Sequence, residues 1–228
     1  MTRLDTLVAL AVRAQAYAPP ATRQTRTGRE WFRIGNALAD STPVYLYDEI
    51  GMWGITASDF VKELNQIDTK TVDLHINSPG GSVFDGVAIH AALVNHKATV
   101  NSTVDGVAAS AASFIAMAGE HRGIEKPATM MIHDAAGLVL GNAADMRAMA
   151  DLLDQLSDTI AAIYADRAGG TVTDWRDAMR AGTDGTWYTS AQAVSAGLAD
   201  EVLNDNAPAP EDRRTQLIRA RARVTLRG

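Results

Sequence analysis

Between residues 72 and 118 the chain repeats one pattern twice without a break: an apolar run, a turn with glycine, then a segment with helical spacing. Residues 72–76 lead through Ser78-Pro79-Gly80-Gly81 to a predicted helix over about 83–95. Residues 98–104 then lead through a turn at Gly106 to a second predicted helix of small residues over 108–118. Consecutive strand–helix units connect parallel neighbours by right-handed crossovers, so the pattern restricts the chain to an α/β fold with a helix-covered parallel sheet. Residues 44–47 read as an extended run. A helix near 56–67 opens on Thr56 and Asp59 at capping-box spacing and carries Phe60, Val61 and Leu64 on one face. Residues 128–132 form a further strand, near whose end at Ile132 the core is expected to stop.

Beyond that strand a 143–168 helix is predicted, with Asn142 as N-cap and Gly169-Gly170 as stop. Met146, Met149, Leu152, Leu153, Leu156 and Ile160 form its apolar stripe. At 1.5 Å per residue it is ~39 Å long, so it is expected to project or to pack on a partner subunit. Two shorter helices follow, capped by Thr171/Asp174 and Thr189/Gln192, the second ending at Gly197. Near the start, Leu4, Leu7, Val8 and Ala11 recur at helical spacing before Pro19-Pro20 and a polar stretch. The expected organisation is a basic tail over 1–30 with a short amphipathic helix, a body over 31–205 and a second basic tail over 206–228.

Charge supports that division. The tails carry five and six Arg and net +3 and +4, which leaves −13 on the body. An acidic body argues against nucleic acid as its partner. The longest charge-free apolar stretch, residues 106–119, has 14 residues, short of the roughly 20 of a membrane span. The apolar segment 7–12 is too short for a signal peptide, so the chain is expected not to be membrane-bound or secreted. There is no Cys, which excludes thiolate zinc sites and cysteine nucleophiles. Neither an HExxH motif nor an acidic metal cluster is present, and no cofactor is implied.

Chemistry concentrates where strands end. Gly80-Gly81 and the segment Gly106 to Ser110 set flexible backbone beside helix N-termini, whose free N–H groups and dipole favour negative charge. Ser110 opens a helix, either as its cap or as a nucleophile, with Ser113 a rival one turn on. Among the five histidines, His90 and His96 read as helical, His121 as part of a charged turn and His75 as part of a strand. His133 alone closes an apolar strand at its carboxyl end, where open α/β sheets place working residues. A serine needs a neighbouring base to become a nucleophile near neutral pH, which pairs Ser110 with His133.

INSPGGSV (76–83), GVAASAAS (106–113), MMIHD (130–134) and AVSAGLADEV (193–202) resemble, in order and spacing, the Clp-type serine peptidases. YDEIGMWGITASDFVKELN (47–65), VFDGVAIHAAL (83–93), GNAADM (141–146) and TWYTSAQAV (186–194) more narrowly resemble the Clp-related prohead, or head maturation, proteases of tailed phages. The resemblance spans about residues 31–203. It implies a Clp/crotonase-type α/β fold, Ser110 as nucleophile, His133 as general base, and the N–H groups of Gly81 and Ala111 as oxyanion donors. The family's acid stands two places before the aromatic of residues 184–187, where this chain has Gly185; Asp184, one residue early, is the expected orienter of the imidazole, with Asp134 as local alternative. The resemblance further implies a homo-oligomer that cleaves phage scaffold and capsid proteins, in the host cytoplasm or the assembling prohead. A housekeeping Clp proteolytic subunit, an acyl-CoA enzyme and a catalytically idle binder on the same fold are the rival expectations.

Overall fold

The computed structural model describes residues 40–204 and the backbone of residues 32–34. Both basic tails and the predicted N-terminal helix lie outside the described residues. The elements are β1 (Phe32–Ile34), β2 (Ser41–Leu46), α1 (Ala57–Leu64), β3 (Thr71–Ser78), α2 (Val83–Val94), β4 (Thr99–Ala109), α3 (Ala111–Ala116), β5 (His121–Glu125), β6 (Thr129–Ile132), α4 (Ala143–Ala168), α5 (Val172–Arg180), β7 (Thr186–Thr189), α6 (Ser190–Ser195) and β8 (Glu201–Leu203).

The strands build one mostly parallel sheet in the order β1-β2-β3-β4-β5-β8, with β6 branching from β4 and β7 from β6. Among the described residues only the β1/β2 and β6/β7 pairs are antiparallel. The expected α/β class therefore holds, and it rests on the period-2 pattern of β2 and β3. Val44, Leu46, Val72, Leu74 and Ile76 are buried with Phe60, Ile89, Leu93 and Phe114, while Tyr45, Asp73 and His75 on the opposite face stay partly open. Caps stop and start the helices as their residues dictate: Thr56, Ser82, Asn142, Thr171 and Thr189 each accept a backbone N–H of the first turn.

Three expectations are corrected. Gly106 is not a turn: β4 runs on through it to Ala109, and the helix begins at Ala111 rather than at 108. The reason is that β4 is paired along its whole length, with β3 on one edge and on the other with β5 along residues 101–104 and then β6 along 107–109, so the backbone stays extended. The glycine serves packing, because a Cβ there would lie 2.6 Å from Oδ1 of Asn77. The core also does not stop near Ile132. Helices α4 and α5 carry it on through Ile160, Tyr164, Trp175 and Met179, Leu198 follows α6, and Tyr188 of β7 and Val202 of β8 pack against it. Finally, His121 lies in β5, not in a turn.

The long helix divides in two. Ile160, Ala161 and Tyr164 in its second half are buried, whereas Met146 and Leu152 in its first half are exposed, together with Leu138 and Leu140 just before it. No helix among the described residues is long and apolar enough to cross a membrane.

Candidate active site

The parallel register Val107↔Thr129, Ala108↔Met130, Ala109↔Met131 brings the ends of β4 and β6 side by side. Residues just past those ends therefore meet: Nε2 of His133 lies 2.7 Å from Oγ of Ser110. Ser110 stands at a sharp strand-to-helix corner with φ 52° and ψ −124°. A side chain in that region costs of order 1–3 kcal/mol, so the surroundings must hold it there. They do so on both sides. The Ser110 N–H donates to the carbonyl of Met131 at 2.9 Å, and its own carbonyl accepts from the N–H of Ser113 at 3.0 Å. The Ser110 hydroxyl makes no capping bond to α3 and faces the histidine instead. Ser113 does not compete for that role, because it is fully buried and its hydroxyl is turned to the Ser110 carbonyl at 2.5 Å.

Gly80 and Gly81 complete this wall. At Gly80, with φ +90°, a Cβ would lie 2.4 Å from the Ala109 carbonyl and 2.7 Å from Cβ of Ser110, so only glycine lets the turn approach the corner this closely. Gly81 forms a parallel bridge with Ile50, whose N–H donates to the Gly80 carbonyl and whose carbonyl accepts from Ser82. In that pattern Ile50 uses the flanking residues, and the N–H of Gly81 points to the other side. Gly81, Val83, Phe114, Ile160 and Tyr164 there line a cavity of about 80 Å³ with Ser110 and His133. A larger cavity of about 530 Å³ lies at the far end of α2 around His90 and Met117, and contains neither Ser110 nor His133.

Burial pushes the His133 pKa below the ordinary value of 6.5, against the upward pull of Asp134 and Asp184. The imidazole is thus neutral near pH 7 and able to take a proton from Ser110. The two acids differ in what they do. Asp134 is held by other partners: Nε of Arg180 reaches its Oδ2 at 2.6 Å and Nη2 of Arg176 the same oxygen at 3.3 Å. Arg176, itself buried, continues to Asp154 at 2.7 Å and to Asp158. Asp184 is exposed and acts on the ring through space; among the described residues no hydrogen bond joins it to His133. Gly185 has the place against the histidine, where a Cβ would lie 2.6 Å from Cβ of His133 and 2.3 Å from the Ile132 carbonyl.

Residues 26–206 match the family described as Clp protease. The chain belongs to the Clp protease family. Over 138 residues, 59% of this chain and 68% of each relative, it is 36% identical to ATP-dependent Clp protease proteolytic subunit 1 of Synechococcus sp. (strain CC9902) and 33% to subunit 1 of Prochlorococcus marinus (strain NATL2A). It is 34% identical over the same extent to subunit 2 of Synechococcus sp. (strain CC9605). The protein is accordingly a serine-type endopeptidase, and its sheet and long helix have the architecture expected of a Clp fold.

Reading the sequence alone missed the arginines that hold Asp134. A signal was present: Asp154 and Asp158 are four apart on one predicted helix, as are Arg176 and Arg180 on the next, which gives matching charged faces. It also ended the apolar stripe at Ile160, although one more turn adds Tyr164.

Proposed function

We propose that this Clp-family endopeptidase cleaves peptide bonds through an acyl-enzyme on Ser110. Nε2 of His133 takes the hydroxyl proton as Oγ attacks the scissile carbonyl. The N–H groups of Gly81 and Ala111 hold the oxyanion, and the imidazolium then returns the proton to the departing amine. Water, activated by the same histidine, releases the acyl group. Asp184 steadies the imidazolium electrostatically from the exposed side. The observation that carries this reading is the 2.7 Å contact between His133 Nε2 and a Ser110 Oγ held at a strained corner. Labelling with a fluorophosphonate, located by peptide mass spectrometry, is expected on Ser110 and is expected to vanish in Ser110→Ala. Label elsewhere, or none between pH 6 and 9, overturns the assignment.

For the biological substrate we favour scaffold and capsid proteins cut during phage head assembly, on the resemblance of residues 47–65, 83–93, 141–146 and 186–194 to prohead proteases. A second reading, supply of proteolysis to an ATP-dependent unfoldase, is favoured by the names of the three relatives. Cleavage of a folded substrate only when an ATPase is added selects the second; cleavage of assembling shell proteins without ATP selects the first. In either setting the protein works as a homo-oligomer. The exposed Leu138, Leu140, Met146 and Leu152 around the first half of α4 form its contact face. Met146→Glu with Leu152→Glu leaves the monomer core untouched and is expected to dissociate the assembly in sedimentation velocity.

A further inference from the structure

Ser110 is the proposed nucleophile, and its carbonyl belongs to the peptide whose N–H, on Ala111, is one proposed oxyanion donor. Building on that assignment, we propose that Ser113 and Tyr164 are positioning residues that lock and polarise this peptide from behind.

The direction of the hydrogen bonds follows from their chemistry. A carbonyl can only accept, so the single hydroxyl proton of Ser113 is committed to the Ser110 carbonyl, 2.5 Å away. The Tyr164 hydroxyl, 2.7 Å from Oγ of Ser113, must then donate. A relay therefore runs from Tyr164 through Ser113 to the Ser110 carbonyl. Both relay residues are fully buried, at 0% and 1% exposure, so water does not replace either bond. Burial also pushes the phenol pKa up, which keeps the donor proton in place. The Tyr164 ring is fixed in turn against Trp175, with centroids 5.2 Å apart.

The consequence lies on the other side of the peptide. In a trans peptide the C=O and N–H point in opposite directions, so fixing the carbonyl of Ser110 fixes where the N–H of Ala111 aims. Hydrogen bonds in series polarise one another, and a carbonyl that accepts strongly makes its own N–H a better donor. The corner needs such a device, because α3 has only six residues and the Ser110 side chain does not cap it. An aliphatic pair in these positions would fill the same space and leave the Ser110 carbonyl held from behind by the Ser113 N–H alone, at 3.0 Å, a looser and less polarising hold. The long helix α4 thereby enters catalysis: its buried half supplies Tyr164.

The test uses the full chain, a fluorogenic peptide with a small apolar residue before the scissile bond, and the matching peptide aldehyde, which forms a tetrahedral adduct on the serine. Ser113→Ala is expected to lower kcat about tenfold, less than the 10²–10³ lost with an oxyanion donor itself. Aldehyde affinity is expected to fall by the same factor while KM and the acid limb of the pH profile stay unchanged. Tyr164→Phe should show the same pattern at about threefold, and the double variant should equal Ser113→Ala because Tyr164 acts through Ser113. A merely structural role would lower Tm without this split between kcat and KM. If Tyr164→Phe does not fold, Ser113→Ala, which installs a better helix former, decides alone. Folded variants with kcat and aldehyde affinity within twofold of the parent overturn the inference while a labelled Ser110 leaves the nucleophile standing. A parent protein that is never labelled at Ser110 overturns both.

Discussion

Two segments flank the imidazole of His133, and they are built in opposite ways. On one side the Ser110 corner is tied down by the Met131 carbonyl, by the N–H and hydroxyl of Ser113 and by glycines at 80 and 81 that let the turn close over it. On the other side Asp184 sits on an exposed bend, carries no hydrogen bond to the ring, and is followed by a glycine pressed against Cβ of the histidine and the Ile132 carbonyl. The contrast teaches that Ser110 and His133, the proposed nucleophile and base, are organised by the sheet itself, through the register of β4 and β6. Asp184, the proposed acid, depends on an exposed surface segment.

The largest effects should fall on the constrained side. Ser110→Ala and His133→Ala are each expected to lower kcat by at least 10³. The double variant should be scarcely worse than either, because members of one catalytic unit are strongly non-additive. Additive losses would show that the two residues do not act together. Asp184→Asn sharpens the comparison. An acid hydrogen-bonded to the imidazole is worth about 10⁴ in the serine-protease triad, whereas an exposed, unbonded one should cost tenfold or less, with KM unchanged. A loss of thousands would mean that the segment closes on the histidine during turnover and that the asymmetry belongs to the free enzyme alone.

Arg176→Met probes the anchor of Asp134, the neighbour of the proposed base. Arg176 is buried and bridges Asp134, Asp154 and Asp158, so its removal leaves Asp134 to Arg180 alone. Breaking a buried ionic network costs about 3 kcal/mol at its mild end, which a fall in Tm measures, and kcat should drop by less than in His133→Ala. The smallest effect concerns pH. Because burial lowers the His133 pKa, the acid limb of kcat/KM should fall below the ordinary histidine value of 6.5, and the base should stay neutral above it. Asp184→Asn removes an upward pull and should move that limb slightly further down. An upward move would contradict the through-space role given to Asp184.

Much of this was legible in the chain. Period-2 apolar runs, capping pairs and Pro-Gly-Gly announce strands, helix starts and a tight turn because each depends on neighbours in sequence. The pairing of Ser110 with His133 was legible for a related reason: one reads as opening a helix and the other as closing a strand, and both element types are locally encoded. The continuation of β4 through Gly106 was not, since a glycine between apolar runs reads as a turn until β6, which follows β5 along the same edge, is known. Nor was the course of the core beyond Ile132, which depends on α4 and α5 packing their buried faces back onto it.

By itself, then, the sequence determined the α/β class, most of the element boundaries, the family and the identity of the nucleophile and base candidates, all properties carried by short contiguous patterns. Only the tertiary structure decided that Asp134 is taken by Arg176 and Arg180, that Gly185 rather than an acid lies against the histidine, and that Ser113 and Tyr164 stand behind the Ser110 carbonyl. Those contacts join residues 42, 52 and 51 positions apart. Hydrogen bonds and ion pairs form where side chains converge, and convergence at such separations is set by strand register and helix packing, which no local pattern encodes.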